Sequence, residues 1–191
     1  AHVEACYLRR LWEAECSACI RLAGLLAADT DRSAQAGRAV DELEAQQGIT
    51  YAPLQRQAVE LAARTGVLVL TGGPGTGKTT TVRGIVALFR RMGLEIVLAA
   101  PTGRAAKRMS ELTGQSAQTI HRLLEAGMSD DHQDITFRRD EDDPLDCDAV
   151  ILDECSMVDI SLMCALLRAM RPECRLILVG DADQLPSVGP G

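Results

Sequence analysis

Residues 68–82, LVLTGGPGTGKTTTV, constrain the fold of this chain more than any other stretch: an apolar run, a glycine-rich turn, then a lysine and a row of threonines. Within it, GGPGTGKT (72–79) fits the spacing G-x-x-x-x-G-K-[ST] between an apolar strand and a helical pattern, which is the context in which that spacing binds phosphate. Glycines let backbone amides turn inward without Cβ clashes, and the positive end of the following helix points at the same anion. Gly73, Pro74, Gly75, Thr76, Gly77, Lys78, Thr79 and Thr80 are therefore the expected nucleotide-contacting residues. Lys78 is expected to neutralise the β and γ phosphates, and Thr79 to hold Mg²⁺.

From Val67 onward, apolar runs near 67–71, 95–100, 148–153 and 175–180 alternate with helical stretches near 78–92, 103–112, 117–126 and 159–170. That alternation predicts an α/β fold, a doubly wound and mainly parallel sheet that carries the phosphate loop. Ahead of it, residues 4–28 read as an amphipathic helix whose Leu8, Leu11, Trp12, Cys19, Leu22 and Leu26 need a partner surface. Residues 29–50 are polar and read as a helical linker or short helix, and 53–65 as a second helix. The expected organisation is a helical segment over 1–50 and an ATPase domain over 51–191. The chain starts at Ala1 rather than methionine and stops inside the turn VGPG, so it is expected to be a piece of a longer protein.

The net charge of the 191 residues is −7, and residues 129–148 account for all of it, with nine acids against Arg138 and Arg139. An acidic average therefore does not exclude nucleic acid, and the acidic run itself reads as a solvated surface loop. No stretch is long and apolar enough for a membrane span and the amino end lacks a signal-peptide pattern, so a cytoplasmic location is expected. The seven cysteines show no framework spacing and are expected as free thiols. Cys16 and Cys19, a C-x-x-C pair inside a helical pattern, are expected as small core residues.

DAVILDECSMVD (148–159) supplies the acids that a phosphate loop needs. The run 149–152 delivers Asp153 and Glu154 at a strand's carboxyl end, where ligands of such sheets bind. Asp153 is expected in the Mg²⁺ shell and Glu154 as the group that polarises the attacking water; a cap for the next helix is the plainer alternative. A hydrolytic glutamate argues for an ATPase motor and against small-molecule kinases, which exclude water.

The order of GGPGTGKTTT, APTGRAAKRM (100–109), QTIHRLL (118–124), DECSMVD (153–159) and LVGDADQLPSVGPG (178–191) resembles superfamily 1 helicases, and in particular the RecD-type family, the alpha subunit of exodeoxyribonuclease V. The resemblance covers about 51–191 and departs from the family at Cys155, where alanine is frequent. It implies an ATP-dependent 5′ to 3′ DNA helicase motor, with ATP and Mg²⁺ as cofactors and single-stranded DNA as the track. It further implies that other recombination-nuclease subunits can be partners. By the same resemblance Gln55 reads the adenine edge, Gln184 couples γ-phosphate to DNA, and Thr102, Arg104, Thr119 and His121 follow the DNA strand. Between 101 and 122 the bases Arg104, Lys107, Arg108 and Arg122 face only Glu111 as an acid, which makes this the expected DNA face. Thr102 also reads as a helix N-cap, and Gln184 as a turn residue. An RNA-directed helicase and a non-catalytic adaptor are the rival readings. Motors of this superfamily close their site with arginines from a second RecA-like domain, so the chain alone is expected to be inactive.

Overall fold

The computed structural model of the chain describes residues 8–28, 33–73, 75–128, 135–181, 183–184 and 187–190. Three helices lead in: α1 (Arg9–Ala27), α2 (Ser33–Gln47) and α3 (Pro53–Arg64). There follow β1 (Val67–Thr71), α4 (Lys78–Arg91), β2 (Ile96–Ala100), α5 (Gly103–Thr113), β3 (Ala117–Thr119), α6 (Ile120–Leu123), β4 (Ala126–Met128) and β5 (Ile135–Phe137). The chain continues through β6 (Ala149–Leu152), a 3₁₀ turn (Cys155–Met157), α7 (Ile160–Ala169) and β7 (Arg175–Gly180).

Five strands form one parallel sheet in the order β1-β7-β6-β2-β3. Side chains alternate between its faces with period two, and the register turns that alternation into rows. Leu68, Ile177, Ile151 and Leu98 lie side by side across four strands and enter the core built with α2, α3 and α4. One residue earlier, Val67, Leu176, Val150 and Val97 form the opposite row, in the core shared with α1, α6 and α7. The chain moves outward from β1 to β3 and returns through β6 and β7, so all five strands end on one edge and every βα loop opens there.

Residues 29–50 do more than link. Within them α2 places Ala36, Val40 and Leu43 in the core, and its Glu44 accepts from the Tyr51 amide (2.7 Å) and from Arg56 (2.7 Å). Arg56 also binds Asp41 (2.6 Å) and Glu60 (3.0 Å), which fixes the start of α3 relative to α2. A glycine at 84 lets Tyr51 and Val59 press onto α4: a Cβ there would lie 2.9 Å from both. The amino end of α3 is thereby held against the helix that follows the phosphate loop.

The structure changes three expectations. Residues 117–126 are not one helix: β3 pairs with β2, a single turn of α6 follows, and β4 pairs antiparallel with β5. The apolar run TIHRLL fits helix and strand alike, and pairing at the open sheet edge decided for strand over its first part. On α1, Ala18 and Leu25 are buried and Leu22 is partly buried, whereas Leu8, Trp12 and Leu26 stay exposed. Cys16 is half-buried and Cys19 exposed, so neither is the core residue expected, because the buried stripe runs about a third of a turn away from them. The acidic segment is partly tied down: Glu141 receives Arg168 through two nitrogens (2.9 and 3.0 Å) and Arg21 (2.9 Å), joining α1 to α7. The Arg168 hydrogen bonds hold the Glu141 carboxyl below the ordinary carboxylate range. Asp130, Asp131 and Asp134 lie outside the described residues.

At the base of the β4–β5 hairpin, Glu125 sits in left-handed backbone (φ 52°) and pairs with Arg138 (3.2 Å) and Arg139 (2.7 Å). The described cysteines are free, with Cys147 and Cys174 buried and their sulfurs 3.9 Å apart. Among the described residues no helix is long and apolar enough to cross a membrane.

Candidate nucleotide site and the adjoining sheet edge

The turn from β1 to α4 is shaped by its glycines. Gly75 (φ 76°) and Gly77 (φ 86°) occupy the left-handed region, and the Gln55 amide nitrogen lies where a Cβ on Gly77 would have to go. Thr76 closes the loop by donating from its hydroxyl to the Gly73 carbonyl (2.9 Å). Thr79 and Thr80, on the first turn of α4, are exposed. Pro74 lies outside the described residues.

Gln55 is used at both ends of its amide: its oxygen accepts from the Ala52 amide (3.1 Å), and its nitrogen donates to the Gly77 carbonyl (3.5 Å). The first bond satisfies an orphan N–H at the start of α3, and the second ties that helix to the phosphate loop. A glutamine held there keeps hydrogen-bonding capacity on both atoms for the edge of a base.

Lys78 bends back over its own loop, donating to the Gly72 carbonyl and to the Gly73 carbonyl (2.9 Å). Its ammonium stands 3.9 Å from Asp181 at the end of β7, a carboxylate that is 4% exposed. At an effective dielectric near 20 such a pair attracts by roughly 4 kcal/mol. Desolvation of the two ions costs several kcal/mol each and offsets that attraction, so the pair adds little net stability. The contact is therefore easily exchanged for another anion.

Asp153 and Glu154 end β6. The Asp153 amide donates to the Ala99 carbonyl of the neighbouring β2 (3.0 Å), and one Asp153 oxygen accepts from the Glu154 amide (2.9 Å). Neither residue caps α7, whose first turn is capped by Asp159 through the Leu162 amide (2.8 Å). Glu154 is in left-handed backbone, φ 52° and ψ 40°. For a residue with a Cβ this costs on the order of 1–3 kcal/mol and is maintained by its surroundings. Cys155 packs on Gly180, where a Cβ would lie 2.7 Å from its sulfur. Burial, and then Asp153, push the Cys155 thiol up, so it stays protonated beside the acids.

The loop and the strand ends line one cavity of about 490 Å³, whereas Gln55 and Thr80 are not among its lining residues. The phosphate loop contributes Gly73, Gly75, Thr76, Gly77, Lys78 and Thr79, and the strand ends contribute Asp153, Glu154, Asp181 and Gln184. Its remaining wall is α5, through Arg108, Met109, Leu112 and Thr113. Arg108 stands with the DNA-facing bases in the sequence, yet its helical position brings it to the nucleotide cavity; only the packing of α5 beside α4 could reveal this. Thr79 and Asp153 both line the cavity and offer a hydroxyl and a carboxylate, oxygen donors of the kind that suit Mg²⁺, which uses one or two carboxylates and keeps waters and phosphate oxygens. Among the described residues no three or more His, Cys, Asp or Glu gather into a self-sufficient metal site.

Farther along the same edge, three and four strands from β1, β2 and β3 end side by side, with Ala100 opposite Thr119. Thr102 caps α5 by accepting from the Ala105 amide (3.2 Å), and Thr119 caps α6 by accepting from the Arg122 amide (3.2 Å). Arg104 and Lys107 are exposed on α5. His121 is half-buried, with its ring 6.0 Å from that of Phe137 on the hairpin. The expected DNA residues thus share one sheet edge with the candidate nucleotide cavity, with β7 and β6 between them and the strand that carries the phosphate loop.

The family described as AAA domain matches residues 55–190. The ATP-dependent RecD2 DNA helicase of Deinococcus radiodurans is 45% identical over 72% of this chain and 18% of its own length. The RecBCD enzyme subunit RecD of Mycolicibacterium smegmatis is 40% identical over 97% of the chain and 36% of its own length. Among solved structures, the Pif1 helicase of Candida albicans superposes with a TM-score of 0.50 at 24% identity, over 73% of this chain and 34% of that one, a likeness of fold. The chain therefore spans only between about a fifth and about a third of the length of these relatives. The chain belongs to the AAA-domain family and carries motor-domain sequence of the RecD-type superfamily 1 helicases.

Proposed function

We propose that this chain is the first ATPase motor domain of a RecD-type DNA helicase, with residues 1–50 leading into a motor over 51–191, and that it couples ATP hydrolysis to 5′ to 3′ movement along single-stranded DNA. The observation that carries the reading is the single cavity that brings together Lys78, Thr79, Asp153, Glu154 and Gln184 from three strand ends. In this reading the loop amides and Lys78 bind the triphosphate, and Thr79 and Asp153 hold Mg²⁺, which supplies charge neutralisation at the phosphates. Glu154 takes the proton of the attacking water, and Gln184 faces the γ-phosphate. Gln55, already against the loop, gives the adenine edge a donor and an acceptor.

Lys78→Ala and Asp153→Ala are each expected to abolish productive Mg²⁺-ATP binding while thermal unfolding stays close to wild type, since both residues stand at strand ends outside the apolar rows. Nucleotide titration and melting of each variant check this. Wild-type affinity in either variant would remove the assignment.

The DNA track in this reading runs over Thr102, Arg104, Lys107, Thr119 and His121. The two threonines are already committed to capping, so their contribution is through strand-end geometry, while Arg104 and Lys107 have their charges free in solvent. Removing either charge in the full-length protein is expected to weaken single-strand binding uniformly over sequence and to lower the salt slope by about one contact. Titration of several oligonucleotides over a range of salt measures that slope; no change would move the DNA elsewhere, and preference for RNA of equal sequence would favour an RNA-directed motor. By its name the Mycolicibacterium relative is a subunit of RecBCD enzyme, and we extend to this chain the capacity to work beside other recombination-nuclease subunits.

A further inference from the structure

We infer that Asp181 is a positioning residue that links the phosphate-loop lysine to the turn carrying Gln184, holding Lys78 back when no nucleotide is bound and releasing it to the phosphates. The inference rests on the nucleotide-site reading above and adds a control element to it.

Asp181 is a buried carboxylate at the junction of two structures. One oxygen, Oδ2, faces the Lys78 ammonium at 3.9 Å; the other, Oδ1, accepts from the Asp183 amide at 3.1 Å. Its own carbonyl accepts from the Gln184 amide at 3.2 Å, so the turn that presents Gln184 is folded around this residue. Lys78 in turn is occupied by the Gly72 and Gly73 carbonyls and cannot lie along a bound triphosphate in this position. Arriving phosphates must take the ammonium from Asp181, and they carry more negative charge than the single carboxylate, 3.9 Å away, that they displace. Once the lysine leaves, Oδ2 loses that cation while Oδ1 keeps the Asp183 amide. Asp181 thereby frees Lys78 for the phosphates without letting go of the turn that presents Gln184.

The two oxygens have separable duties, which makes the idea testable in the full-length protein with ATP and ADP as probes. Asp181→Asn keeps an acceptor for the Asp183 amide and removes the charge. It is expected to tighten nucleotide binding about three- to tenfold, with kcat of DNA-stimulated hydrolysis kept within about threefold. Asp181→Ala removes both duties; it is expected to tighten binding similarly but to lower kcat about 10- to 100-fold, as the Gln184 turn loses its anchor. Lys78→Gln is expected to abolish binding as Lys78→Ala does, and adding Asp181→Asn is expected not to restore it, because no lysine remains to release. Unchanged or weaker binding by Asp181→Asn would overturn the inference, as would a gain that persists in the Lys78→Gln background, which would mean plain repulsion of phosphate by the carboxylate. An equal loss of kcat in both single variants would overturn the positioning role. If Asp181→Ala fails to fold in a melting control, the asparagine variant and the lysine background decide alone. Failure of the wild-type protein to bind ATP would sink the site reading itself, an outcome distinct from all of these.

Discussion

Replacing Glu154 by Gln is expected to slow DNA-stimulated ATP hydrolysis by the full-length protein by about 10²- to 10⁴-fold, the usual contribution of a positioned general base. Nucleotide affinity should stay within about threefold, since the phosphates are held by other groups: the loop amides, Lys78 and the metal ligands. Two features support the assignment over its neighbour. Asp153 already accepts from the Glu154 amide and is bonded through its own amide to β2, which suits a fixed ligand. Glu154 sits in left-handed backbone at the cavity, a strained placement that nothing in the packing of α7 requires, because Asp159 caps that helix. Single-turnover hydrolysis beside nucleotide titration checks the prediction. Turnover near wild type would assign the proton to another group, and a parallel loss of affinity would make Glu154 a binding residue.

Residues 1–191 expressed by themselves are expected to hydrolyse ATP at least about 10³-fold more slowly than the complete protein, and to show no unwinding. An arginine that closes a phosphoryl-transfer site contributes on the order of 10³ to 10⁵ in rate. Among the described residues Arg108 is the one arginine that borders the cavity, and it stands on α5, on the same domain wall as the acids. The relatives are several times longer than this chain, which leaves room in such proteins for an opposing wall. Phosphate release stimulated by single-stranded DNA, measured for both proteins under one set of conditions, gives the ratio. Equal rates would mean that the shorter chain completes its own site, with Arg108 as the first residue to substitute.

The sheet rows were legible because strand side chains alternate strictly: once the runs at 67–71, 148–153 and 175–180 are read as strands, Ile151 and Val150 must face opposite layers. The phosphate loop was legible for a similar reason, since left-handed turns at Gly75 and Gly77 restrict the residue type so strongly that the spacing is written into the sequence. The stretch 117–126 was not legible, because three residues of edge strand and one turn of helix are both too short to impose a period. The α1 stripe was misjudged for another reason: a helix with apolar residues on much of its surface does not say which side meets α7, and Ala18 and Leu25 rather than Trp12 and Cys19 made the contact.

By itself, then, the sequence determined the local chemistry: a left-handed glycine turn at the start of a helix, two acids delivered at a strand end, and the alternation that buries both faces of a parallel sheet. Tertiary structure decided adjacency. The order β1-β7-β6-β2-β3 puts Asp181 between the phosphate loop and the acid pair, and the packing presses Gln55 onto Gly77 and turns Arg108 toward the candidate nucleotide cavity. Each of these pairs is far apart in sequence, where no local periodicity or spacing relates one residue to the other. Their meeting depends on which strands pair, and that is set by burying two apolar rows at once.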